Sequence, residues 1–203
     1  MWGLEHSQRI PNSKKTVTSR LARYSYGIIC SRPFDYALGH LYKDAFFNQR
    51  GEWLAKNQMI WKLKKGERIE EGKELHVELT QYVQASVLDT IRDDRTWDLS
   101  SELYYCAEDD PPTRSGPSKH HTTETEALLI VHLAVKTLCK VEYSVPRSKL
   151  WSAESFRDEK TGQKWRSALF DFGIRLDSTT LEFFIMYKDE LMALTEAKYK
   201  EDF

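Results

Sequence analysis

Hydrophobic and polar positions along this chain keep two rhythms. The first alternates with a period near two, the mark of a strand with one buried face. It runs unevenly through Val17, Leu21, Tyr24, Tyr26 and Ile28 in KKTVTSRLARYSYGIIC, and returns in Met59–Lys64, where Lys65-Gly66 supplies a turn. It marks SSELYYC and, most strongly, EALLIVHLAVKTLCKVEY, with Leu129, Val131, Leu133 and Val135 on one face and Ile130, His132, Ala134 and Lys136 on the other. IRL and LEFFIMY flank Asp177-Ser178-Thr179-Thr180 as a closing hairpin.

The second rhythm is helical. Ser31-Arg32-Pro33 reads as a helix start, and Phe34, Ala37, Leu38, Leu41, Tyr42, Ala45 and Phe46 follow at a spacing that gives one apolar face. In GQKWRSALFDFG, Trp165, Ala168, Leu169 and Phe172 mark another helical face with Gly173 as its stop. KDELMALTEAKYKEDF reads as an amphipathic helical tail through Leu191 and Leu194. Between these, Leu75, Val77 and Leu79 favour a strand, and Thr80–Ile91 fits either a strand or a helix. The expected class is α+β: a single domain with an antiparallel sheet packed against two or three helices. A basic N-terminal arm over 1–19, a core over 20–187 and a helical tail over 188–203 divide the chain.

At 203 residues the chain is long enough for one sizeable core. No apolar run exceeds five residues, as at Ala127–Val131, far short of the roughly 20 that a helical membrane span requires. The first residues lack a charged start and apolar middle, so synthesis in the cytosol is expected. Cys30, Cys106 and Cys139 are odd in number and widely spaced, which points to ordinary buried thiols rather than a disulfide framework or structural zinc.

The formal charge of −1 conceals segregation. Residues 1–65 hold twelve Lys/Arg against four Asp/Glu, and residues 66–126 hold six against fifteen. A basic end beside an acidic body favours anionic surfaces and contact between copies. Lys14, Lys15, Arg20 and Arg23 are therefore the candidate contacts to an anionic membrane or a nucleocapsid.

The stretch CAEDDPPTRSGPSKHH, residues 106–121, gathers a thiol, three carboxylates and two imidazoles. Its prolines and Ser115-Gly116-Pro117 are loop formers, and His120 and His121 point apart in an extended segment, so it reads as a loop rather than a metal or catalytic site. Asp109, Asp110, Pro111, Pro112 and Arg114 are the candidate self-association contacts in that loop. Phosphate-binding, nucleophile-elbow and H-E-x-x-H motifs are missing, and no catalytic, cofactor-binding or metal residue is assigned. Trp53, Trp61, Trp97, Trp151 and Trp165 are mostly expected in the core, with one or two exposed as interface anchors.

The order of SRPFDYALGHLYKD, NQMIWKL, SSELYYCAEDDPPT, ALLIVHLAVKTL and LWSAESFRDEKTGQKWRSALFDFGIRLD resembles the matrix proteins of rhabdoviruses over residues 20–185. The sequence departs from the animal-virus members, because its arm is short and Pro111-Pro112-Thr113-Arg114 does not complete their P-P-x-Y motif. A plant or invertebrate virus fits better. The resemblance implies a non-enzymatic structural protein without a cofactor, which self-assembles into open oligomers. It implies condensation of the viral nucleocapsid and a link to anionic inner-leaflet lipid, with an envelope glycoprotein tail and RNA as further partners. The implied location is the virion beneath its envelope, and in the host the cytoplasm, membrane surface and nucleus. Two other readings stay open. One is nucleic-acid binding through the basic N-terminal third with Tyr24, Tyr26, Phe34 and Tyr36; the other is a small enzyme using dispersed acids and histidines such as Asp110 and His121.

Overall fold

The period of two prevails almost everywhere. A computed structural model of the protein describes residues 19–115, 134–177 and 180–197. Twelve strands fill most of that length: β1 (Ser19–Leu21), β2 (Ser25–Pro33), β3 (Ala45–Phe47), β4 (Trp53–Leu63), β5 (Arg68–Glu70), β6 (Glu74–Gln84), β7 (Thr96–Cys106), β8 (Val135–Pro146), β9 (Glu154–Arg157), β10 (Lys164–Asp177), β11 (Thr180–Tyr187) and β12 (Glu190–Ala197). Among the described residues two short helices, α1 (Ala85–Thr90) and α2 (Arg147–Trp151), plug one end.

One five-stranded sheet has the order β3-β4-β2-β7-β8; the other has β12-β11-β10-β6, with β9 also on β10. β1 and β5 form a separate pair. The ladders within these sheets are antiparallel. The sheets stack face to face. Tyr26, Leu63 and Leu103 of the first meet Val77, Ile174 and Phe183 of the second in one cluster. Val141, Tyr143 and Val145 meet Phe170, Ile185 and Tyr187 in another, closed by Leu88 of α1 and Leu150 of α2. Because β12 also lies along β8, and β6 approaches β4, the sandwich closes at both sides like a flattened barrel. A cavity of about 30 Å³ lies between the sheets, small enough for water-sized occupants alone.

The expected sheet packed with helices is therefore replaced by a β-sandwich. Each of the three expected helices fails for a local reason. At 34–46 the chain makes two single 3-10 turns, Tyr36–Leu38 and Tyr42–Asp44. Asp35 caps the first by accepting from the Ala37 N–H (2.8 Å), and Gly39 ends it in the left-handed region at φ 76°. Pro33 closes β2 rather than opening a helix.

At 164–177 the chain is the longest strand of the fold, paired with β6 on one side and β11 on the other. Its apolar residues face both ways, Phe170 inward and Leu169 outward, and this doubled pattern imitated a helical face.

The tail beyond Tyr187 is β12, not a helix. Lys188 and Asp189, both at positive φ (51° and 60°), make the tight turn that folds it back on β11. A register shift beside Ile185 places Leu191 opposite Met186 and Ala193 opposite Ile185, skipping Met192. That bulge set Leu191 and Leu194 three apart on one face, the spacing of a helix. The open segment Thr80–Ile91 resolves into both readings, strand to Gln84 and helix from Ala85.

Candidate functional site

The chemistry-bearing side chains do not converge. Among the described residues no group of three His, Cys, Asp or Glu is placed to hold a metal ion. Cys106 is buried; Cys30 and Cys139 are half-buried; all three are free thiols, and burial pushes each above the usual thiol range, away from the reactive thiolate. His120, His121 and His132 lie outside the described residues.

What stands out instead is a ridge of aromatic side chains at the β3 edge of the first sheet. Its centre is Trp53, the first residue of β4, whose carbonyl accepts from the Phe34 N–H (3.0 Å). β3 pairs Phe47 directly with Trp53. These backbone bonds set three rings side by side. Phe34 stacks on Trp53 at 4.3 Å and 25°, and Phe47 lies nearly parallel to it at 6.4 Å and 21°. The 3-10 turns supply Tyr36 and Tyr42, which meet Trp53 edge-on at 6.3 and 6.5 Å. Tyr42 is 72% exposed, Phe47 59% and Trp53 40%, and Leu38 stands exposed beside them. Lys160, from the β9–β10 turn, holds its ammonium 4.7 Å from the centre of the Phe47 ring. Exposed Arg32, Lys43 and Lys56 lie on the same segments.

This ridge is held from beneath. Asp44, the last residue of the second 3-10 turn, is buried and takes a two-pronged contact from Arg114, with Nη2 donating to Oδ1 at 2.8 Å. Asn57 adds a longer contact at 3.4 Å. The Arg114 guanidinium holds the Asp44 carboxyl below the usual carboxylate range.

The expected self-association loop thus divides. Pro111–Ser115 lie as a strap along β4: the Met59 N–H donates to Thr113 (2.9 Å), the Ser115 N–H to Asn57 (3.0 Å) and the Trp61 indole to Pro112 (2.7 Å). Asp109 and Asp110 remain exposed, with Asp109 paired to Lys65 at 2.8 Å.

Of the candidate membrane or nucleocapsid contacts, Lys14 and Lys15 lie outside the described residues. Arg20 is on β1, and Arg23 is in the turn before β2. The nine residues of β2 separate that turn from the ridge, about 30 Å of extended chain, so the basic candidates and the ridge occupy opposite poles. Of the rings proposed for nucleic-acid stacking, Tyr26 is core, buried against Phe183 at 6.1 Å, whereas Phe34 and Tyr36 are in the ridge. Tyr42, Phe47 and Trp53 completed the site without being singled out together. Of these only Tyr42 stood in the apolar face read at 34–46; Phe47 lay outside that face and Trp53 was read among the tryptophans mostly expected in the core.

A family model described as a domain of unknown function, DUF8568, matches residues 20–201. No curated protein matches the chain, and no solved structure does. The match covers nearly all of the described fold, and the chain belongs to this family.

Proposed function

We propose that this DUF8568 chain is a non-enzymatic attachment protein, and that the Trp53 ridge is the surface by which it meets a membrane. One observation carries the proposal: five aromatic rings cluster on the outside of a sandwich whose interior is already filled. Contiguous exposed apolar surface of this kind costs solubility and marks a contact site.

The chemistry of the ridge favours a lipid interface. Phe34 covers part of the Trp53 ring and Lys160 part of the Phe47 ring, so a partner meets mostly edges, two phenol hydroxyls and a leucine. Tyr and Trp favour the headgroup boundary, where one end of the ring is apolar and the other wet. Burying one such side chain contributes about 1.5–3 kcal/mol, and each nearby cation about 1 kcal/mol at an anionic leaflet. Three or four rings and a few cations, less the cost of immobilisation, give reversible attachment. Among the described residues no helix is long and apolar enough to cross a membrane.

The matrix-like form of this proposal gives the two poles separate partners. The ridge meets the envelope, while the pole carrying Arg20 and Arg23 meets a ribonucleoprotein. What supports it is the polarity of the molecule, since the helices that entered the resemblance are strands and turns here.

Flotation with phosphatidylserine-containing vesicles at physiological salt tests the attachment. Tyr42→Ser with Phe47→Ser, both at exposed positions, is expected to cut the floated fraction at least fivefold while leaving thermal unfolding unchanged. Undiminished flotation of that variant contradicts the proposal, as does binding of the wild-type chain to single-stranded RNA but not to vesicles.

A further inference from the structure

The hairpin of β9 and β10 carries at its tip an arrangement that works against the sheet. The last rung before its turn sets Arg157 directly opposite Lys164, two cations on one face of the ribbon. Side chains so placed have Cβ atoms about 5 Å apart, and like charges there are destabilising. Both residues are exposed, and neither makes an ion pair among the described residues.

The carboxylates nearby are engaged elsewhere. Glu154, on β9, pairs with Arg50 at 2.5 Å. Asp158 accepts from the Thr161 and Lys160 N–H groups at 3.1 and 2.8 Å and so braces the turn. Glu159 is the turn's other acid, and it is exposed. The Arg157 fork is steadied at one end only, where Nη1 donates to the Gly162 carbonyl at 3.1 Å.

Position says what the rung faces. Lys160, in the same turn, lies over the Phe47 ring of the ridge at 4.7 Å. Arg50, in the turn between β3 and β4, lies over Phe156 at 4.5 Å. These contacts fasten the hairpin tip to the ridge. Lys164 opens β10 at this pole, and Leu176, which Glu71 bridges, lies at the strand's far end. A surface that meets Phe47 and Trp53 therefore meets the rung as well.

Given attachment through the ridge, we infer that Arg157 and Lys164 bind the phosphomonoester headgroup of an anionic lipid, in the class of phosphatidic acid and the phosphoinositides. This assignment rests on the ridge as the membrane surface and names the lipid that surface selects. Arg presents parallel N–H donors to two phosphate oxygens, and Lys adds a compact charge beside them. A phosphomonoester carries a charge of about −1.5 to −2 at neutral pH, enough to answer both cations at once. The phosphodiester of phosphatidylserine carries a single charge and leaves much of their mutual repulsion in place.

Flotation of the full chain on three vesicle sets tests the assignment: phosphatidylcholine alone, and phosphatidylcholine with either phosphatidylserine or phosphatidic acid, matched in total negative charge. The wild-type chain is expected to float about fivefold better with phosphatidic acid than with phosphatidylserine, the factor one added cation contributes at an anionic leaflet. Arg157→Gln with Lys164→Gln is expected to abolish that preference, leave flotation on phosphatidylcholine unchanged and unfold at no lower a temperature. Lys164→Glu, which gives Arg157 a partner across the rung, is expected to lose the preference and gain thermal stability; it serves as the test if the double variant folds poorly. Tyr42→Ser with Phe47→Ser is expected to float less on all three sets. Equal flotation on the two anionic sets, or a preference that survives the rung variants, overturns the inference and leaves the ridge reading in place. A wild-type chain that floats on none of the vesicles overturns both. Binding to single-stranded RNA that the rung variants lose, with no preference for phosphatidic acid, assigns the rung to nucleic acid and overturns the inference.

Discussion

A single missing side chain shapes the outer face of the second sheet. A Cβ placed on Gly173 falls 1.9 Å from the Phe184 ring, which fills the space above it and is buried there. The ring is framed by His76, edge-on at 5.6 Å, and by the Arg175 guanidinium at 5.4 Å. Glycine within a strand weakens it, and a cross-strand aromatic laid over it restores the cover. Gly173→Ala is expected to lower the unfolding free energy by about 2 kcal/mol through overpacking. In a Phe184→Ala background the same change is expected to be nearly neutral, because the clash has gone. Urea unfolding of the four proteins, compared at constant m-value, measures this; equal costs in both backgrounds contradict the account.

The elements around the ridge are joined by one buried pair. Asp44 ends a 3-10 turn of the ridge and Arg114 belongs to the strap already bonded along β4, so their contact ties the turn to that strap. Asp44→Asn removes the carboxylate charge that the Arg114 guanidinium grips at a site that is only 12% exposed, and is expected to cost about 3 kcal/mol. The pair also makes stability depend on acid. Arg114 depresses the Asp44 pKa in the folded chain, so the pair's contribution is complete above the unfolded carboxyl value of about 3.9. It is lost as pH falls through the lower folded value. The stability gap between wild type and Asp44→Asn therefore narrows on acidification below about pH 4. A gap that stays constant from pH 6 to pH 2 in chemical unfolding contradicts this assignment.

At the same scale, legibility followed the simplicity of each strand's surroundings. β4, β7, β11 and the end of β10 at Ile174–Leu176 were readable because clean alternation or a turn signature marked them. The first two thirds of β10 and all of β12 were not: one carries apolar residues on both faces, and the other is bulged at Met192. The ridge was half legible. Its apolar positions were seen at 34–46, but the helix assumed for them turned that face inward. Gly39 and the pairing of Phe47 with Trp53 expose it instead.

As a whole, the molecule is a filled sandwich with contact chemistry on its surface. The ridge occupies one pole, and Arg20 and Arg23 mark the other. Segregated charge was plain in the sequence; that the basic third is itself split between the poles was not, since only the run of β2 separates its parts. Attachment through the ridge is the central claim, and Trp53 offers a direct reporter of it. Tryptophan emission should be measured on vesicles whose acyl chains carry bromine, a quencher confined to the hydrocarbon region. The account predicts quenching in the wild-type chain and its loss in Trp53→Phe, with binding retained. Quenching that survives unchanged in Trp53→Phe, or bound protein whose emission bromine leaves untouched, contradicts it.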